Sequence, residues 1–162
     1  MTPPKGIAAL LAVPLATLAV FGCSTTSSDS QERTRSVSDE LRHDPQTLQK
    51  YFPIIGTPVA VSWVGRNNAS GRAPGPTTYW VDAVVELHPD TAAALRTRYV
   101  PGEPAQPPAL PDVVQALVPA GTYTTGPDFD TALGGGTEWN GTATGYLHTD
   151  RPILVFTATA GG

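Results

Sequence analysis

The sequence predicts an α+β domain: a small antiparallel sheet of four to five strands with short helices packed on one face. Three observations predict it. Two segments near the middle, Pro58–Gly65 and Thr77–His88, are rich in β-branched and aromatic residues. Two more at the C-terminal end, Thr142–Leu147 and Pro152–Ala158, carry the same signal across the short turn His148–Arg151. Between the two pairs lie segments with helix-start chemistry and no strand pattern. Strands grouped in pairs, with the helices interposed, argue an antiparallel sheet rather than alternating parallel units.

The first structured element expected is a helix over residues 38–51. Ser38 is a capping residue, Asp39 and Glu40 favour the positive end of a helix, and Pro45 interrupts the pattern and restarts it at a first helical position. Leu48, Tyr51 and Phe52 give that helix its apolar stripe. The strand over 58–65 follows, and then an 11-residue loop, Arg66–Pro76, too polar for a core. In the strand over 77–88, Val81, Ala83, Val85 and Leu87 fall on one side and are assigned to the core. Trp80, Asp82, Val84 and Glu86 fall on the other.

Asp90 is the expected N-cap of a helix over 91–98. Pro101–Pro111 holds five prolines in 11 residues and reads as a stiff connector that is neither helix nor central strand. Pro111 leads a short helix through Leu117. Pro127–Leu133 gives one or two turns more, stopped by Gly134–Gly136. The C-terminal pair reads as a hairpin, and the unbroken apolar run Ile153–Phe156 suits a strand buried on both faces.

The N-terminal residues have a different composition. Met1–Lys5 carries one positive charge, Gly6–Phe21 is apolar apart from Thr17, and Gly22 precedes Cys23, the only cysteine of 162 residues. The apolar run is 16 residues long, short of the ~20 needed to span a bilayer as a helix, and Pro14 would kink it. Val20-Phe21-Gly22-Cys23 resembles the lipobox of bacterial lipoproteins, with Phe21 where that motif usually has a small residue. The resemblance covers residues 1–23 alone. It implies a signal peptide over 1–22, acyl chains on Cys23, and attachment to the outer, extracytoplasmic face of the cell membrane. Residues 23–37, rich in Ser and Thr, are expected to form a flexible tether, leaving 38–162 as a single globular domain.

Net charge is −4, and the charges are scattered without a basic run. That disfavours nucleic acid as a partner. Three histidines have an acid close by: His43-Asp44, His88-Pro-Asp90 and His148-Thr-Asp150. A metal-dependent enzyme assembled from them is the alternative reading of function. None of the pairs has the close spacing of ligands on one element, and capping or turn chemistry accounts for each acid, so no metal or other cofactor is expected. Nor does the chain contain the Gly-x-Ser-x-Gly turn of a serine hydrolase. A set drawn from Ser62, His88 and Asp82 is open only if the fold assembles it.

The best binding candidates are aromatic, the group Trp63, Tyr79, Trp80 and Trp139. Tyr79 and Trp80 follow the long loop, beside Arg66, Asn68 and Arg72. Rings flanked by guanidinium and amide groups suit stacking on a sugar or gripping a protein. The sequence thus predicts a non-catalytic binding domain whose partners are the membrane, through Cys23, and an envelope protein or wall component.

Overall fold

The computed structural model describes residues 40–68, 76–99 and 102–161. Cys23, the tether and Arg72 lie outside them. The fold is α+β, with one open antiparallel sheet of six strands in the order β1-β2-β6-β5-β4-β3. The strands are β1 (Ala60–Asn67), β2 (Thr78–Glu86), β3 (Glu103–Ala105), β4 (Tyr123–Thr125), β5 (Gly141–His148) and β6 (Ile153–Gly161). Four α-helices accompany them: α1 (Pro45–Tyr51), α2 (Pro89–Arg98), α3 (Asp112–Gln115) and α4 (Pro127–Gly134), with a 3₁₀ turn over Pro53–Ile55. None of the described helices is long and apolar enough to cross a membrane.

Both expected hairpins form. In β1–β2, Trp63 stands opposite Ala83 and Arg66 opposite Trp80; in β5–β6, Gly145 stands opposite Phe156. β6 joins the hairpins by pairing with β2, Ala83 facing Phe156. Its central position explains its composition, since Leu154, Val155 and Phe156 are all fully buried. The odd-numbered residues of β1 and β2 match in register with the even-numbered ones of β6, so one face carries Val61, Trp63, Val81, Ala83, Val85, Leu154, Phe156 and Ala158. Leu48 of α1, Phe52, Ile55, Ala92 and Leu95 of α2, and Phe129 and Leu133 of α4 close over it. At Gly145 the approach of α4 is so close that a Cβ would lie 2.6 Å from the Phe129 ring and 2.9 Å from Leu133.

The structure corrects the expected pattern in four places. The sheet has six strands rather than four or five, because β3 and β4 add three-residue strands at one edge. Pro104 sits inside β3, at the outermost position of the sheet, where a missing N–H costs no ladder bond. Helices do not pack on one face alone. Val114 of α3, with Leu110, Val118 and Tyr123, covers Val64, Val84 and Val155 on the second face.

Residues 40–44 are not helical. Arg42 donates its N–H to the Trp63 carbonyl at 2.8 Å and accepts from the Trp63 N–H at 3.0 Å, forming a bridge on the free edge of β1. Two bonds to a buried strand outweigh the local helix signal of Asp39 and Glu40. The N-cap of α2 is His88 rather than Asp90: its Nδ1 accepts from the Asp90 N–H, and Pro89 takes the first helical position.

Candidate functional site

The free end of the core face, where β1, β2 and the last residues of β6 extend beyond α1, forms an open groove of about 460 Å³. Gly65, Val81 and Ala160 are its floor. Tyr51 of α1 and Trp139 of the turn before β5 form one wall, Trp63 and Tyr79 flank the floor, and Trp80 borders it. The chain has three tryptophans, and all of them line this groove. The volume lies within the range of small-ligand sites, and the composition, apolar and aromatic with a few polar groups at the rim, is that of such sites.

The rings are fixed by their neighbours. Trp139 meets Tyr51 edge-on at 5.7 Å and Phe52 at 5.0 Å, and its indole N–H donates to the Thr142 carbonyl at 3.2 Å. The Trp63 indole N–H donates to the Asp44 carbonyl at 3.2 Å, and the Arg42 guanidinium lies 4.9 Å from the ring centre. Trp63 is 3% exposed and Trp139 7%, whereas Tyr79 is 49% exposed. The two indoles therefore brace the groove, and Tyr79 is the ring left open for a ligand to stack on.

Gly65 admits the Trp63 ring: a Cβ there would stand 3.0 Å from that ring and 4.0 Å from Arg42 Nη1, so a side chain at this position would push the indole and the guanidinium above it. At the rim, Asn140 has φ 49°, the only non-glycine in the left-handed region among the described residues. Asn tolerates that conformation better than other side chains. Backbone in sparsely populated regions collects at ligand sites.

Electrostatically the rim is mostly self-compensated. Arg66 pairs with the buried carboxylate of Asp82, two residues beyond its ladder partner Trp80 and on the same face. Lys50 pairs with Glu138 at 3.4 Å. Arg42 has no carboxylate partner among the described residues.

Of the residues singled out from sequence, Arg66, Tyr79 and Trp80 line the groove. Tyr79 and Trp80 are not a side-by-side pair, however. Tyr79 belongs to the helix-covered face with Val81, and Trp80 stands on the other face opposite Arg66. The Asn68 side-chain oxygen accepts from the Thr78 N–H at 2.8 Å, which closes the end of the β1–β2 ladder. Cys23 and Arg72 lie outside the described residues. Trp63 and Trp139, grouped with Tyr79 and Trp80 in the sequence, line the groove too. Sequence reasoning missed Arg42, Tyr51, Gly65 and Asn140, none of which carries a local signal for the site.

The histidines sit apart, each in local structure. His43 Nδ1 is 3.0 Å from the Val61 carbonyl and 3.2 Å from Ser62 Oγ, so Ser62 meets His43 and not His88. His88 caps α2, with Asp90 Oδ2 at 3.6 Å. The buried His148 accepts at Nδ1 from the Asp150 and Arg151 N–H groups, at 3.1 and 3.2 Å. That assigns the proton to Nε2, which lies 3.3 Å from the Ala120 carbonyl. Among the described residues no three His, Cys, Asp or Glu side chains converge as a metal site would need.

Compared with protein-family models, with curated proteins and with solved structures, the chain matches none of them.

Proposed function

We propose that this chain is a lipid-anchored lipoprotein of the extracytoplasmic face of the cell membrane, and that its domain, residues 38–162, is a non-catalytic binding module. Its ligand is an envelope protein or wall component, held in the aromatic groove. The observation that carries the binding role is the convergence of all three tryptophans, with Tyr51 and Tyr79, on one open groove. Trp63 and Trp139 brace the groove, while the exposed Tyr79 and the partly exposed Tyr51 and Trp80 retain contact area for a ligand. The leader over residues 1–22, Cys23 and the polar stretch 23–37 support the location.

Two measurements test the two halves. Wild-type chain expressed with its leader should fractionate with membranes, and Cys23→Ser should move it to the soluble extracytoplasmic fraction; an unchanged distribution contradicts the anchor. For the groove, the soluble domain should change its tryptophan emission when titrated with solubilised envelope material, because every tryptophan lines the site. Tyr79→Ala and Trp80→Ala should each weaken the response about tenfold or more. An undiminished response in both variants contradicts the site.

A further inference from the structure

The rim of the groove narrows the chemistry of what it holds. We propose that the ligand is an acidic saccharide, its ring stacked on Tyr79 and its carboxylate received by Arg42; this rests on the groove being the binding site.

The argument begins with charge. The protein is acidic overall, at −4, yet the groove mouth has a surplus of positive charge. Arg66 is neutralised by Asp82 and Glu138 by Lys50, whereas Arg42 has no carboxylate partner among the described residues. Its guanidinium is held in place all the same. The backbone is fastened to Trp63 by two hydrogen bonds, and the head group lies 4.9 Å from the Trp63 ring centre. Stacking on a ring face leaves the in-plane N–H donors pointing outward, and those donors suit a carboxylate. Gly65 lets the Trp63 ring lie close against the strand beneath the guanidinium, and Arg42 itself is exposed at the groove, where an anion can reach it.

The remaining rim favours a sugar over a peptide. Tyr79 offers an open ring next to a floor of Gly65, Val81 and Ala160. Asn140, turned by its left-handed backbone, adds an amide with both donor and acceptor capacity. An apolar ring face with donors and acceptors around its edge is the surface a pyranose presents. For a peptide, the neighbouring edge of β1 would be the natural docking rail, and the Arg42 bridge already occupies it at Trp63.

Matched probes separate the alternatives. The soluble domain is titrated with the N-acetylglucosamine–N-acetylmuramic acid disaccharide, with chitobiose, and with a glutamate-rich peptide, following tryptophan emission. Chitobiose shares the rings of the first and lacks its lactyl carboxylate. The acidic disaccharide should bind about tenfold or more tightly than chitobiose, the size of one charge-assisted hydrogen bond. Arg42→Gln should bring the two to equal affinity with circular dichroism unchanged, since the fold uses the Arg42 backbone. Tyr79→Ala should remove the response to both. Equal affinity of the wild type for both sugars, or a preference that survives in Arg42→Gln, overturns the acidic assignment. In that case loss of binding in Tyr79→Ala would still uphold the groove. Binding of the peptide and of neither sugar, or no response to any probe, overturns the saccharide; the envelope titration judges the groove separately.

Discussion

At the scale of single residues, polar groups pinned by backbone partners carry the account. Asp130 of α4 accepts from the Gly145 N–H at 2.8 Å, beyond the point where β4 stops pairing with β5. Burial pushes its carboxyl above the ordinary 3.8, opposed in part by that N–H bond. A raised carboxyl favours the protonated native state, so its contribution is complete below the unfolded value and lost as pH rises through the folded one. Asp130→Asn keeps the acceptor and removes the ionisation. The variant should therefore gain on the wild type in unfolding free energy at about pH 7 relative to about pH 3. An offset that is the same at both pH values in urea titrations would contradict this. Tyr123 is the second case. Its hydroxyl donates to the Pro119 carbonyl at 2.6 Å, and burial raises it, with Arg151 acting in the other direction. Tyr123→Phe should cost about 1 kcal/mol in urea unfolding by leaving a carbonyl unpaired. No loss would mean that water replaces the bond.

Among the elements, strand pairing decides more than local pattern does. β2 was legible from its alternation, β1 and β5 from β-rich composition bounded by Pro, Gly and turn residues, and the doubly buried run marked β6 as central. β3 and β4 were not legible. Three residues are too few for a period, and Pro104 argues against a strand anywhere but at an edge. Residues 40–44 carried a helix signal that the Arg42–Trp63 bridge overrides. The groove was half legible: Tyr79, Trp80 and Arg66 lie on one hairpin, and Trp63 and Trp139 belonged to the same aromatic group, while Arg42, Tyr51 and Asn140 arrive from segments that only the tertiary fold joins. Close packing of α4 on β5 yields a prediction at this scale. Gly145→Ala should cost about 1–3 kcal/mol by forcing Phe129 and Leu133 outward. Gly126→Ala, where a Cβ meets nothing within 4 Å, should be close to neutral. Equal effects of the two in thermal unfolding would contradict the packing.

Over the whole molecule, one sheet serves two unequal layers. The larger core centres on Phe156, fully buried and 4.7 Å from Phe52; Phe156→Ala should cost about 3–5 kcal/mol, read from the urea midpoint at unchanged slope. The helical layer ends before the sheet does, and the uncovered end is the groove. α+β order was readable from how strands and helices are grouped along the chain. The groove was not, because it is made by where the helices stop. The most direct test of the binding role is an amide and indole NMR spectrum of the soluble domain, recorded with and without fractionated envelope glycan. Three indole signals are expected, one for each tryptophan. The account predicts that these, with the Gly65, Tyr79 and Asn140 amides, shift together while those of α3 and β3 stay in place. Shifts confined to residues outside the groove, with the three indoles unmoved, would contradict it.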